Sequence, residues 1–299
     1  MYRKSILSFA LVSLFIVSGC MPPNAGPLPV PYRHWESNSI MSNGIRLHYW
    51  RTGGDDKPVV VMAHGITDYG LNWAMLASKL EPEYDVIMYD ARGHGFSEKP
   101  EAPYSLETHV EDLVGFVQAL DIHKPILIGH SMGGSVAALT AATYPDLPTA
   151  VILVDPPMDE ALERLTEDIL EDWKKAVVAF TVTEKQELMK QARTKYHPGL
   201  TMFEYDHWAE SKQLVHPNVI DILKGPGFGD PREIFLKITA PTLILKAESK
   251  DEEYRKRHFE TAALLQNGKL IHIEGAGHLI HHDKPVRTER EIRQFLADL

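Results

Sequence analysis

The sequence predicts a doubly wound α/β fold built on a mostly parallel sheet. Six short, apolar, β-branched runs recur along the chain: PVVVMAH (58–64), YDVIMYD (84–90), PILIGH (125–130), AVILVD (150–155), PTLILK (241–246) and KLIHIE (269–274). Near-continuous apolar strands of this kind are what a parallel sheet covered on both faces requires. Helical stretches separate most of them, over 71–80, 106–120, 131–143, 251–265 and 285–297, and strand–helix alternation gives a doubly wound sheet. With 299 residues, 44% hydrophobic and 24% charged, the chain is long enough for one large domain.

The first thirty residues stand apart from that domain. MYRKSILSFALVSLFIVSGC has Arg3 and Lys4, then a twelve-residue apolar-rich core from Ile6 to Val17, then small residues. That core fits a signal peptide and falls short of a membrane span. Val17-Ser18-Gly19-Cys20 resembles the lipobox of bacterial lipoproteins, which implies removal of residues 1–19 and lipidation of Cys20. Cys20 is the only cysteine in the chain, as suits a protein exported to an oxidising compartment. MPPNAGPLPVP follows, with five prolines in eleven residues, and reads as an extended linker over 20–35. The resemblance places the protein in the cell envelope, in the outer membrane facing the periplasm where the host has one. Met21 after the cysteine is similar to lipoproteins sorted there.

The domain is expected over 36–299. IMSNGIRLHYWRTGG supplies opening antiparallel strands. In the 106–120 helix, Leu106, Val110, Leu113, Val114, Val117 and Leu120 form one apolar face at three- and four-residue spacing. Between Asp155 and Pro241 the rhythm breaks. Some eighty residues there lack a convincing strand and are rich in Glu, Lys and aromatics; a helical insertion over 156–235 accounts for them better than a loop. Net charge is −10 with no basic run, which argues against nucleic acid as a partner. Loss of the leader leaves 29 basic against 41 acidic residues, a net −12, so anionic lipid would repel the surface and the Cys20 tether would do the anchoring. A monomer is expected.

Gly129-His130-Ser131-Met132-Gly133 matches G-x-S-x-G between an apolar strand and a small-residue helix. A serine at such a turn sits in strained backbone with its hydroxyl pushed into the open, and a Cβ at either flanking glycine would collide. The Met132 amide opens a helix, where it can donate to an anion. His278, in GKLIHIEGAGHLIHHDKP, follows the last strand and can serve as the base for Ser131. His281 and His282 beside it read as a solvated helix start and not as metal ligands. His64-Gly65-Ile66 follows the first strong strand. There the Ile66 amide can pair with that of Met132 as a two-donor oxyanion hole.

His-Gly, G-x-S-x-G and Gly-x-Gly-His in this order resemble the α/β-hydrolase family from about residue 40 to the end. YDARGHGFSEKP (89–100) is similar to that family's Asp-x-Arg-Gly-x-Gly-x-Ser segment, a mainly structural loop. The resemblance implies that 156–235 is a cap over the active site that selects substrate. Its aromatics, with His197, His207 and His216, suggest a pocket of mixed character. It also implies a triad acid after the seventh strand, where an ungapped count falls on Lys250, which cannot accept from an imidazole N–H. A one-residue insertion in the loop brings Asp251 into place. Asp155, after the sixth strand, and Glu248 are the alternatives; the acid would orient the imidazole and stabilise its charged form.

Serine at position 131 disfavours dehalogenase and epoxide-hydrolase chemistry, which on this fold needs a carboxylate nucleophile. The expected reaction is hydrolysis of a small-molecule ester, thioester or lactone through an acyl-enzyme, with no cofactor or metal. A carbon–carbon bond hydrolase of the meta-cleavage type and a non-catalytic tethered binding module are the other readings.

Overall fold

The computed structural model describes residues 31–54, 56–158 and 165–299. The expected leader over 1–19, Cys20 and most of the linker lie outside the described residues. Strands β1 (Glu36–Ser42) and β2 (Ile45–Arg51) form a hairpin closed by Asn43-Gly44. Both turn residues have positive φ, 45° and 78°, the geometry that matches the twist of a two-residue hairpin. Then come β3 (Val59–Ala63), helix α1 (Ala74–Leu80), β4 (Asp85–Tyr89), α2 (Leu106–Ala119), β5 (Ile126–His130), α3 (Met132–Thr143) and β6 (Ala150–Val154). The insertion carries α4 (Glu167–Val182), α5 (Lys185–Gln191), α6 (Met202–Gln213) and α7 (Pro231–Phe235). After it run β7 (Thr242–Ala247), α8 (Glu252–Ala262), β8 (Gly268–Ile273), α9 (Ile280–Asp283) and α10 (Pro285–Ala297).

The eight strands form one sheet in the order β1-β2-β4-β3-β5-β6-β7-β8. β1 and β2 are antiparallel to their neighbours, and the rest are parallel. Alternate residues point to opposite faces. Val61, Leu127, Val151 and Ile244 join the core under α2 and α3. Val60, Met62, Ile128, Ile152 and Leu245 join the core under α1 and α10. Every residue of β4, β5 and β6 is buried, the two-sided cover that their unbroken apolar runs require.

Ser105 caps α2 by accepting from the Thr108 amide, and the predicted face buries Leu106, Val110, Leu113, Val114 and Val117. The described part of 156–235 contains helices and no strand. Leu188, Ala192, Tyr205, Trp208 and Ala209 give it a small core of its own. The 89–100 loop is structural, as the resemblance implied. Asp90 accepts from the Gly70 and Phe96 amides, at 2.7 and 2.8 Å. Arg92 makes a buried two-pronged pair with Asp112 on α2, at 2.5 and 2.6 Å. No helix among the described residues is long and apolar enough to cross a membrane.

Arg92→Met strands the buried Asp112 carboxylate and should cost about 3–5 kcal/mol in urea unfolding. His109 is fully buried, with Nδ1 bonded to the Ser105 carbonyl at 2.8 Å, and burial lowers its pKa to about 4. A histidine whose folded pKa lies below its unfolded value contributes stability that is complete above about pH 6.5 and lost as pH falls. His109→Leu should remove about 3 kcal/mol of the parent's loss of unfolding free energy between about pH 6.5 and 4.

Candidate active site

Parallel strands bring their C-terminal ends to one edge of a sheet, where open α/β proteins place their ligands. β5 and β6 pair with His130 opposite Val154, so Ser131 and Asp155 leave the sheet side by side. The Ser131 amide donates to the Val154 carbonyl at 3.0 Å, and that of Asp155 to the Leu245 carbonyl at 2.7 Å. Ser131 has φ 50° and ψ −115°, a conformation that costs a non-glycine residue about 1–3 kcal/mol. Both elbow glycines are needed. A Cβ on Gly129 would lie 2.1 Å from the Gly133 carbonyl oxygen, and one on Gly133 would lie 2.2 Å from that of Ala63.

His278 lies past β8, as predicted, and its Nδ1 is 2.6 Å from Asp155 Oδ2. A carboxylate can only accept, so the proton is on Nδ1 and the ring's lone pair is on Nε2. The other carboxylate oxygen, Oδ1, takes Lys246 Nζ at 2.8 Å and the Ala247 amide at 3.0 Å. Burial alone would raise the Asp155 pKa. The Lys246 ammonium and the His278 hydrogen bond outweigh it and hold the carboxyl well below the usual carboxylate range. Asp251, the acid expected from a one-residue insertion in the loop, is not the partner of His278, which Asp155 holds. Asp251 is exposed and caps α8 by accepting from the Tyr254 amide at 3.0 Å. Glu248 accepts from the Gly275 amide at 2.8 Å.

His130 is buried, and its Nε2 bonds the His278 carbonyl at 2.9 Å. Burial, then the nearby His278, lowers its pKa to about 3, so the ring is neutral. Its Nδ1 approach to Asp68 at 3.8 Å is therefore not an ion pair. Ile66 and Met132 sit at the ends of two elements packed on each other, since the Gly133 amide donates to the His64 carbonyl at 3.1 Å. Among the described residues neither the Ile66 nor the Met132 N–H is used in a hydrogen bond. The turn after Ile66 holds Thr67 at φ 66°.

The insertion reaches this edge through buried polar contacts. Lys212 on α6 meets Asp68 at 2.9 Å, and Glu204 meets His282 at 2.8 Å. Burial works against the Asp68 charge, but the Lys212 ammonium draws its pKa down to about 2. His281 and His282 are not solvated, contrary to the expectation. Both are buried, and His281 stacks on Trp73 at 4.3 Å. Of the predicted cap histidines, His197 is partly buried, with a pKa lowered to about 4 by burial and then by Lys212. His207 bonds the Tyr69 hydroxyl, and His216 stacks on Tyr104.

The family model described as alpha/beta hydrolase fold matches residues 58–285. The chain belongs to that family, and it is a hydrolase. It is similar to 2-(acetamidomethylene)succinate hydrolase of Mesorhizobium japonicum, at 28% identity over 280 residues, covering 88% of this chain and 96% of that protein. Epoxide hydrolase 1 of Caenorhabditis elegans is 24% identical over 293 residues, covering 88% of this chain and 70% of that one. The solved structure of E-2-(acetamidomethylene)succinate hydrolase superposes with a TM-score of 0.76 at 24% identity, covering 88% of this chain and all of that one. That likeness is one of fold.

Lys246 and Lys212 were not singled out by the motifs. For Lys246 a signal existed. A lysine at the end of the buried run PTLILK needs a carboxylate partner, and the apolar run AVILVD ends in Asp155.

If Asp155 orients the imidazole, Asp155→Asn should lower hydrolytic turnover by roughly 10³–10⁴-fold by imposing the wrong tautomer. Asn caps a helix as well as Asp, so Asp251→Asn should keep both activity and stability within about twofold and about 0.5 kcal/mol of the parent.

Proposed function

We propose that this α/β hydrolase cleaves a carboxylic ester, thioester or lactone through an acyl-enzyme on Ser131. The observation that carries the reading is the 2.6 Å contact between Asp155 and His278 at the sheet edge where Ser131 occupies its strained turn. His278 Nε2 takes the Ser131 hydroxyl proton as Oγ attacks the acyl carbon, and Asp155 stabilises the imidazolium that forms. The Ile66 and Met132 amides receive the oxyanion. The imidazolium then returns its proton to the leaving alcohol or thiol, and His278 next activates the water that releases the acid.

The charge balance of the site supports this role. Lys246 neutralises part of the Asp155 charge, and burial keeps His130 neutral. The base therefore works beside one compensated carboxylate and not in a crowd of like charges. The carboxylate nucleophile of epoxide hydrolysis has no counterpart at position 131, despite the similarity to Epoxide hydrolase 1.

A carbon–carbon bond hydrolase of the meta-cleavage type is the second reading. It would use the same serine, base and oxyanion donors on a different acyl carbon. A tethered module that binds without turnover is the third. In each case the lipobox-like segment ending in Cys20 would hold the domain at the cell envelope on its proline-rich linker.

A p-nitrophenyl ester series tests the first reading. Hydrolysis at pH 8 should fall at least 10³-fold in Ser131→Ala, and the preferred acyl length would outline the pocket. Ester turnover that survives Ser131→Ala overturns the acyl-enzyme. Inert esters with turnover of a meta-cleavage dienone would select the second reading.

A further inference from the structure

We infer that Lys212, on α6 of the insertion, is a positioning residue that holds the oxyanion turn in its working shape. The inference rests on the serine-hydrolase reading, because it takes the Ile66 amide as an oxyanion donor. The key observation is Thr67, which has φ 66°. A β-branched residue is rare in the left-handed region and stays there only when its surroundings impose it.

The surroundings are specific. The Thr67 amide donates to His94 Nε2 at 3.3 Å. Lys212 Nζ donates to the Thr67 carbonyl at 2.8 Å, to Thr67 Oγ1 at 3.0 Å and to Asp68 Oδ1 at 2.9 Å. An ammonium has three protons, and all three go to two consecutive residues of one turn. The turn closes with the Asp68 amide on the Gly65 carbonyl at 3.0 Å, so Ile66 sits between its anchored ends. Lys212 is buried, and the Trp208 ring centroid lies 5.0 Å from its nitrogen.

Without the lysine, Thr67 can relax to negative φ. The C-terminal half of the turn is then no longer pinned, and the Ile66 amide loses its fixed aim. Seating of the insertion and assembly of the oxyanion hole are then one event. The site becomes competent when α6 is docked.

The test uses a charge-balanced variant, Asp68→Asn/Lys212→Met, because removing the lysine alone would strand a buried carboxylate. The readout is the rate at which a fluorophosphonate labels Ser131, followed by mass spectrometry, together with kcat and KM on p-nitrophenyl acetate. Loss of one oxyanion donor lowers rate by roughly 10²–10³-fold. The double variant should therefore lose about 30- to 300-fold in labelling rate and kcat, with KM within about threefold. Adding Thr67→Gly, which adopts positive φ without strain, should restore at least about tenfold of that loss.

A double variant with parental rates overturns the inference, as does a loss that Thr67→Gly leaves untouched. If the double variant does not fold, Thr67→Val in the parent deletes the Oγ1 acceptor. It should slow labelling about tenfold, and an unchanged rate overturns the inference. A parent that the reagent does not label at Ser131 overturns the serine-hydrolase reading itself. A parent labelled normally beside unimpaired variants overturns only the role of Lys212.

Discussion

The arrangement of this site depends on one buried carboxylate. Asp155 stands at the end of β6, between the strand that delivers the serine and the strand that delivers Lys246, and both of its oxygens are occupied. One oxygen holds His278, and the other is fixed by Lys246 and the Ala247 amide. A lone carboxylate at this depth would carry a large desolvation penalty and would neutralise itself by taking a proton. The lysine prevents this, so the histidine faces a charged acceptor in a fixed place. The sheet register makes that place coincide with the serine: Asp155 follows Val154, whose partner is His130, and Ser131 comes next.

The same edge concentrates backbone strain. Six non-glycine residues have positive φ among the described residues, and three of them are Thr67, Ser131 and Asp155. The other three, Asn43, Asp121 and Lys124, lie outside this edge, Asn43 in the β1–β2 turn and the other two between α2 and β5. Strain at this edge is imposed by parallel strands that stop together, each followed by a chain that must turn sharply enough to aim a functional group. The surrounding contacts are correspondingly strong. The elbow packs to within contact of two carbonyl oxygens, and the Thr67 turn is held by a histidine and a lysine.

Much of this was legible in the sequence, for reasons that differ by residue. The parallel strands were readable because burial on two faces leaves unbroken apolar runs. Ser131 was readable because the elbow tolerates nothing but glycine at its flanks, and His278 because a short glycine-rich loop after the last strand fixes where it lands. The acid was not readable by counting. Loops after β6 and β7 reach the same edge, so Asp155, Glu248 and Asp251 are equivalent in one dimension and separate only when strand register is known. The burial of His282 leaves no trace in the sequence for a related reason. Its partner, Glu204, lies 78 residues away in the insertion, and no local pattern reports a long-range hydrogen bond.

That long-range pairing bears on how the insertion sits on the sheet. An apolar contact between cap and sheet would tolerate small rotations, since hydrophobic burial is nondirectional. Lys212 with Asp68, and Glu204 with His282, are buried and directional. Breaking either pair without admitting water leaves an uncompensated charge or an unpaired acceptor, which costs several kcal/mol. Displacement of the insertion therefore has to be cooperative and hydrated, with α6 leaving both partners together, and intermediate tilts are disfavoured. Two docked contacts, one on the turn after β3 and one on the helix after His278, fix the insertion over the groups that would handle the oxyanion and the proton. Roof and site would then share a single geometry, the one in which the buried Asp68 and Glu204 carboxylates keep their partners.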